Sequence, residues 1–194
     1  MESIFDIRCT PLPDYLNLTL TPSNPILHTT RLRTLYKDYR PGVVYSTIPL
    51  FYQDWDDESS RLLIACDTEV QQLCKALKQF DLSGVKSLKV HYESDTAEKL
   101  TKKISSIPAF QGLPSPQIPV GNGWLPDFSS RYFTADFSYG LAILVQIAHM
   151  ASVPVPNMDE TLQWYLSLTG SKETFRFDAW DIHNLDDLLH FYLQ

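Results

Sequence analysis

The sequence predicts a mainly α-helical domain, and three observations support that fold class. Apolar side chains recur at helical spacing in several separate segments. Strand-like alternation is clear only in one short stretch near the N-terminus. The chain has neither internal repeats nor low-complexity segments, and its 194 residues stay within the range of one hydrophobic core. Residues 1–194 are therefore expected to form a single multi-helix domain.

Residues 1–24 are predicted to be a connecting segment that contains one strand. Prolines flank the stretch from Tyr15 to Leu20, in which every second residue is leucine. Such alternation favours a half-buried strand that is entered from a loop.

The first helix is predicted to begin at Thr29 or Thr30, because either hydroxyl can accept a hydrogen bond from the backbone of a first turn. Its apolar positions follow helical spacing from Leu32 to Tyr39, and Pro41-Gly42 ends it. His28 then lies at the N-terminal edge of this helix.

Residues 59–80 and 95–106 are predicted to form the next two helices. Apolar side chains in the first keep a helical spacing from Leu62 to Leu77, and the second is amphipathic. An alternative for the first is a short strand from Leu62 to Ala65, followed by a helix that restarts at Asp67. The long periodic pattern favours one helix.

Residues 108–126 are predicted to form a long irregular connection, because prolines and glycines interrupt them repeatedly. A loop of this length inside a compact domain is usually functional or mobile. It contains Gly121-Asn122-Gly123, which is followed by Trp-Leu-Pro rather than by a helix. These glycines therefore cannot form a dinucleotide-binding loop.

The C-terminal part is predicted to contain three more helices. The most apolar stretch gives a helix from about Thr134 to Ala151, after which a Pro-Val-Pro corner turns the chain. Asn157 followed by Glu160 is similar to a capping box, and the helix it starts ends near Gly170. The last helix is predicted over residues 184–193.

The composition argues against several classes of function. The formal net charge is −7, with 16 Lys and Arg residues and no basic stripe, which disfavours nucleic acid and anionic membranes as partners. The longest aliphatic run, Leu141 to Val145, is too short to cross a bilayer, and no secretory signal is evident. We therefore expect a cytoplasmic protein with no membrane partner.

The three cysteines indicate neither a metal site nor a disulfide. Cys9, Cys66 and Cys74 form no CxxC pair and have no histidine at metal-ligand spacing. If one helix carries Cys66 and Cys74, they lie about 12 Å apart along it and cannot bridge. Reduced, buried thiols are the expectation.

Arg131 and Asp136 supply the best functional clue. They place two charges just before or within the first turn of the most apolar helix. A buried carboxylate is costly unless a partner compensates its charge. The partner we expect is His28, and the two side chains would form an acid/base dyad.

Each of these residues also has an ordinary structural interpretation. His28 is alternatively a cap or a partly buried surface histidine, and Asp136 a carboxylate at a helix N-terminus. Arg131 is alternatively the salt-bridge partner of Asp136, and Asn24 part of a simple turn. The other histidines have no supporting neighbours in the sequence and are predicted to be structural: His91, His149, His183 and His190.

Several short elements are informative in combination. They are Asn24–His28, Ser106–Leu113, Arg131 with Asp136, Gly140-Leu141 and Val153–Pro156. Together they resemble the C-terminal helical domain of the NAD(P)-dependent octopine/nopaline (opine) dehydrogenases, over most of the chain. The resemblance implies a multi-helix substrate domain similar to the C-terminal domain of 6-phosphogluconate dehydrogenase.

The resemblance also implies a reaction and roles for four residues. In that family a Rossmann domain binds NAD or NADP, and the helical domain binds an amino acid and a 2-oxo acid whose imine is reduced. His28 would be the general acid/base, Asp136 would fix its tautomer, and Arg131 would hold a substrate carboxylate through two hydrogen bonds. Asn24 would orient the nicotinamide or the substrate.

Nothing before Asn24 resembles a Rossmann domain, which leaves alternatives open. The chain is either part of a longer protein or a stand-alone relative that works with a separate nucleotide-binding domain or has lost catalysis. The main alternative function is a non-catalytic helical module that forms a homodimer or docks on a partner. A third is the helical domain of another nicotinamide enzyme class, such as a ketopantoate reductase-like or a 6-phosphogluconate dehydrogenase-like protein. Candidate anchors for docking are Trp164, Tyr165, Trp180, Phe191 and Tyr192.

Overall fold

The computed structural model describes residues 2–170 and 173–193. Helices dominate these residues, so the mainly α-helical prediction is confirmed. The helices are α1 (Glu2–Phe5), α2 (Leu16–Thr19), α3 (Asn24–Leu35), α4 (Asp57–Ala76), α5 (Leu88–His91), α6 (Ala97–Ser105), α7 (Arg131–Thr134), α8 (Ala142–Met150), α9 (Pro156–Thr169) and α10 (Leu185–Tyr192). The other elements are strands β1 (Gln117–Val120) and β2 (Gly123–Pro126), 3₁₀ turns at Pro108–Phe110 and Phe177–Trp180, and a π segment (Asp136–Leu141).

The centre of the core lies where α3, α4, α9 and the π segment meet. α3 packs against both α4 and the π segment, and α9 contacts all three. α6 packs against α4. Full burial of one large apolar side chain contributes roughly 1.5–3 kcal/mol to stability. Core side chains that are 0% exposed include Ile26, Leu32, Leu63, Leu73, Phe133 and Phe137.

α3 begins at Asn24, five residues before the predicted threonine cap. Pro25 stands in the first turn, where its missing N–H costs little because that N–H would have no partner inside the helix. Thr29 and Thr30 lie within the helix, and their hydroxyls donate to backbone carbonyls one turn earlier, at 2.6 and 2.7 Å. The predicted cap is therefore wrong, and His28 lies inside α3.

The stretch from Tyr15 to Leu20 contains a short helix, α2, and not the predicted strand. Leu16 and Leu20 are fully buried, whereas Leu18 between them is 56% exposed. Residues four apart share one helical face, and residues two apart do not. The spacing of the leucines is compatible with both structures, and tertiary packing selects the helix.

α4 and α6 confirm the two helices predicted over residues 59–80 and 95–106. Asp56 and Thr96 cap them, since each side chain accepts a hydrogen bond from a backbone N–H three residues later. Asp67 lies inside α4, and its carboxylate accepts from the N–H of Leu88 at 2.9 Å. The alternative of a strand followed by a restarted helix is therefore wrong.

The predicted irregular connection, residues 108–126, contains an antiparallel hairpin of β1 and β2. Pro119 of β1 lies opposite Trp124 of β2. The N–H of Trp124 points away from β1 and donates to the Tyr45 carbonyl. A proline at position 119 therefore removes no hydrogen bond between the two strands. A Cβ at Gly123 would lie 2.5 Å from the Tyr45 carbonyl oxygen. The prolines and glycines that suggested irregular structure are thus compatible with this hairpin.

The helix predicted from Thr134 to Ala151 is divided, because the π segment separates α7 from α8. The next helix, α9, lacks the predicted capping box of Asn157 and Glu160. Its first N–H groups donate instead to the carboxylate of Glu69 on α4, at 2.8 and 2.9 Å. α9 ends as predicted at Gly170, which has a φ of 64°. α10 also matches its prediction.

Cys66 and Cys74 both lie on α4, and all three cysteines are free. Burial raises the pKa of the Cys66 thiol, whereas Cys9 is exposed, so the expectation of a buried thiol is wrong for Cys9. Among the described residues, no helix is both long and apolar enough to cross a membrane. The same residues contain no cluster of three potential His, Cys, Asp or Glu metal ligands.

Candidate functional site

One cleft contains all four residues that were predicted to form the site. α3 supplies one side of the cleft, and α7 with the start of the π segment supplies the other. Residues 108 positions apart in the sequence meet here because α3 packs on the π segment. The volume of the cleft is about 450 Å³, and it is lined by Asn24, His28, Ser130, Arg131, Tyr132, Ala135 and Asp136.

His28 and Asp136 form a direct hydrogen bond. Nδ1 of His28 lies 2.8 Å from Oδ2 of Asp136, and their side chains are 10% and 19% exposed. A carboxylate at this distance accepts a hydrogen bond from Nδ1–H, so neutral His28 carries its proton on Nδ1. The remaining nitrogen, Nε2, is then a hydrogen-bond acceptor and a potential base.

The π segment brings Asp136 close to α3. The N–H groups of Tyr139 and Gly140 both donate to the carbonyl of Ala135, at 2.9 and 3.1 Å, and the second bond spans the five residues of a π turn. A Cβ at Gly140 would lie 3.1 Å from Cβ and Cγ of Pro25. Glycine at this position therefore permits the close approach of α3 and the π segment.

Tyr52 is a partner of His28 that the sequence reasoning missed. Its hydroxyl lies 2.6 Å from Nε2 of His28, and both side chains are buried. The rings of Phe51 and Tyr132 lie against the same imidazole, with centroids at 5.5 and 4.6 Å. Burial and the neighbouring Tyr132 raise the pKa of the Tyr52 hydroxyl, which therefore stays protonated. No spacing rule connects Tyr52 with His28, because a loop carries it.

Arg31 is a second residue that the sequence reasoning missed. It lies one turn after His28 on α3 and is 1% exposed. Its guanidinium donates to the carbonyls of Leu50, Phe51 and Asp54 at 3.3, 3.0 and 2.7 Å, and to Asp56 at 2.8 Å. Burial lowers the pKa of Arg31, and Asp56 opposes that effect. Arg31 thus fixes the loop that carries the tyrosine to the histidine.

Arg131 and Asn24 are both exposed at the cleft. Within residues 2–170 and 173–193, the Arg131 guanidinium makes no hydrogen bond or ion pair. Asp136 bonds to His28 instead, so the structural salt bridge between Arg131 and Asp136 is wrong. The guanidinium is available to an anion, which an arginine binds through two parallel hydrogen bonds.

The other four histidines do not line the cleft. His149 lies 2.9 Å from a carboxylate oxygen of Asp159, and all four are exposed. Their structural role stays a prediction. They differ from His28 in exposure, which makes them useful internal references for chemical modification.

The chain matches the family model described as the NAD/NADP octopine/nopaline dehydrogenase, alpha-helical domain, over residues 11–169. The match covers well over half of the chain. The chain belongs to this family. The resemblance stated on sequence grounds is therefore confirmed, and so is the likeness of its fold to the helical domain of octopine dehydrogenase.

An opine dehydrogenase and a tauropine dehydrogenase are among its relatives. The opine dehydrogenase of Haliotis discus hannai is 34% identical over 159 residues, which is 76% of this chain and 39% of that protein. The tauropine dehydrogenase of Arabella iricolor is 27% identical over 81% of this chain and 42% of that protein. The chain therefore spans less than half the length of these two relatives.

Solved structures of octopine dehydrogenase have the same fold. The structure with NADH and pyruvate has a TM-score of 0.76 and 25% identity, over 90% of this chain and 47% of that one. The structure with NADH and L-arginine has a TM-score of 0.70 and 28% identity, over 80% and 41%. NADH, pyruvate and L-arginine are the ligands of those octopine dehydrogenase structures.

The described residues do not fit a dinucleotide site of their own. Their sheet consists of two antiparallel strands, and Gly121 lies in the turn between them with a φ of 57°. A dinucleotide fingerprint instead requires a parallel strand, a glycine loop and a following helix whose N-terminus faces the pyrophosphate. The described residues of this chain lack that arrangement.

Proposed function

We propose that the chain is the substrate-binding and catalytic helical part of an opine dehydrogenase-like oxidoreductase. Such an enzyme would condense the α-amine of an amino acid with a 2-oxo acid and reduce the resulting imine. The observation that carries the proposal is the 2.8 Å contact between His28 and Asp136, in a cleft that also contains Arg131. Membership of the family supplies the reaction class.

His28 would exchange a proton with the reacting group through Nε2. An imidazole suits this work because histidine ordinarily titrates near neutral pH. Asp136 would hold Nδ1–H and stabilise the imidazolium that forms when Nε2 takes up a proton. A positioned acid/base group of this kind typically contributes about 10²–10⁴-fold to the rate.

Arg131 would hold the carboxylate of a substrate at the rim of the cleft. Its guanidinium is exposed beside Asp136 and lacks a protein partner among the described residues. Two parallel hydrogen bonds from one planar group would fix both the position and the orientation of a carboxylate. Asn24, on the α3 side of the cleft, would contact the substrate or the nicotinamide.

NAD or NADP would supply the hydride, and a nucleotide-binding domain outside the described residues would hold it. That domain would be joined to this chain or would associate with it. The glycine loop and the helix N-terminus that receive pyrophosphate are lacking in the described residues, which supports this division of labour. This chain alone is therefore proposed to be inactive.

The test is an assay of NADH and NADPH oxidation with pyruvate and a panel of amino acids. The chain would be assayed alone and after addition of, or fusion to, the nucleotide-binding half of a relative. We expect no turnover from the chain alone and turnover that requires both substrates in the combination. Failure of every combination, with both halves folded and associated, would count against the proposal.

The alternative function is docking without catalysis, and one observation favours it. A groove of about 470 Å³ beside the cleft is lined largely by apolar and aromatic side chains. Tyr139, Trp180 and Phe191 in this groove are 62%, 71% and 60% exposed. Patches of this kind often mark interaction surfaces. Sedimentation at micromolar concentration tests one form of this alternative, since a homodimer would have twice the mass of the chain.

A further inference from the structure

Both ring nitrogens of His28 are engaged in the structure. Nδ1 bonds to Asp136 at 2.8 Å, and Nε2 lies 2.6 Å from the hydroxyl of Tyr52. With the proton on Nδ1, Nε2 is an acceptor, and the Tyr52 hydroxyl is the donor. The nitrogen that would act as the acid/base group is therefore already occupied.

Contacts of its ring and of its loop orient the Tyr52 hydroxyl toward Nε2 while the cleft is empty. Its ring stacks on Phe110 with a centroid separation of 4.2 Å and an interplanar angle of 20°. Arg31 bonds to the carbonyls of Leu50 and Phe51, immediately before Tyr52, and to that of Asp54 after it. Arg31 and His28 are three residues apart on α3, so one helix positions both the imidazole and the loop that supplies its partner.

We propose that Tyr52 is a positioning residue of the His28–Asp136 pair, which donates to Nε2 and keeps that nitrogen covered while the cleft is empty. Asp136 and Tyr52 then specify one tautomer and one ring orientation from opposite sides of the imidazole. The reacting group of a substrate would have to replace the Tyr52 hydroxyl at Nε2. The catalytic meaning of the inference rests on the proposed function, whereas the hydrogen bond itself does not.

The hydrogen bond can be tested on the chain itself, without an activity assay. Nitrogen-15 NMR of the His28 ring should show a protonated Nδ1 and an Nε2 shifted as expected for a hydrogen-bonded acceptor. Carbethoxylation with diethyl pyrocarbonate, followed by peptide mapping, should modify His28 more slowly than the four exposed histidines. A proton on Nε2, or modification of His28 as fast as those residues, would overturn the inference even without a variant.

Tyr52→Phe removes the hydroxyl and keeps the ring that stacks on Phe110. We expect the Nε2 resonance to move toward that of a free acceptor nitrogen. Carbethoxylation of His28 should become about fivefold faster, as for the loss of one neutral hydrogen bond. Modification of the four exposed histidines should not change.

Tyr36→Phe is the matched control, because the Tyr36 hydroxyl is also buried and donates to the Pro116 carbonyl at 2.8 Å. This control should leave both signals of His28 unchanged. Equal behaviour of Tyr52→Phe and Tyr36→Phe would overturn the inference. The NMR and carbethoxylation measurements do not depend on turnover. An assembled enzyme without activity would count against the proposed function but would leave these measurements unchanged, so the two failures can be distinguished.

Discussion

His28 owes its position to side chains from three separate parts of the chain. Asp136 in the π segment and Tyr52 in a loop bond to its two nitrogens, and Tyr132 on α7 packs on its ring. Of these partners, only Asp136 was predicted from the sequence, through the expected charge compensation. Tyr52 and its anchor Arg31 could not be predicted, because tertiary packing alone brings the loop against α3.

Arg131→Lys tests the proposed carboxylate site at the scale of one residue. Lysine keeps the charge but loses the planar pair of donors, so binding of the 2-oxo acid or amino acid should weaken. In an enzyme assembled from this chain and a nucleotide-binding half, we expect KM for one of the two substrates to rise at least about tenfold, with a smaller change in kcat. Arg33→Lys is the control, because Arg33 pairs with Glu160 and Thr161 outside the cleft. Equal KM values in both variants would contradict the assignment.

Asp67 makes stability depend on pH in an unusual direction. Burial raises the pKa of this carboxyl to about 6, although the Leu88 N–H opposes the shift. The native state then holds the Asp67 proton more tightly than the unfolded state does. The contribution of this group to stability is therefore present below about pH 4 and is lost as the pH rises through 6.

Asp67→Asn should consequently stabilise the protein at pH 7, by roughly 1–3 kcal/mol, and by much less at pH 4. The amide oxygen of asparagine can still accept from Leu88, and no buried charge forms. Urea unfolding at the two pH values measures the difference. Asp81→Asn is the control, because hydrogen bonds from Ser83 lower the pKa of this exposed carboxyl, so its replacement should not stabilise the protein at pH 7. A stability difference between Asp67→Asn and wild type that is the same at both pH values would contradict the account.

At the scale of elements, the helical spacing of apolar residues predicted the helices better than the capping patterns did. α4, α6 and α10 follow apolar patterns whose length favours a helix over a strand. The stretch containing Leu16 and Leu20 is too short to separate the two periods, so packing decides its structure. α9 lacks its predicted capping box because Glu69, which is distant in sequence, satisfies its first N–H groups. Local patterns cannot report such tertiary partners.

Gly140 is the position where the contact between two elements sets the geometry of the site. In Gly140→Ala the new methyl group would press on Pro25, where a Cβ would already lie 3.1 Å away. We expect destabilisation of about 1–3 kcal/mol and a weaker bond between His28 and Asp136, because α3 must move outward. Unfolding by urea and the proton resonance of Nδ1–H measure the two effects.

Tyr139→Ala is the control for this variant. Tyr139 is the preceding residue of the same π segment and is 62% exposed. Its truncation should leave the Nδ1–H resonance in place. Loss of that resonance in both variants would mean that the π segment, and not the glycine contact, determines the position of Asp136.

At the scale of the whole molecule, the chain should not bind NADH tightly by itself. The described residues provide no glycine loop at a helix N-terminus, so the pyrophosphate has no matching donors. Calorimetric titration of the isolated chain should give no binding at micromolar concentration. A dissociation constant in the micromolar range or below would contradict the proposed division between a helical and a nucleotide-binding part.

The turnover of His28→Ala tests the central claim most directly. In the assembled enzyme we expect kcat to fall by about 10²–10⁴-fold. The variant should remain folded under the assay conditions, so that unfolding does not account for the fall in kcat. His149→Ala, at an exposed histidine outside the cleft, should retain wild-type turnover. Wild-type kcat in a folded His28→Ala enzyme would contradict the assignment of His28 as the acid/base residue.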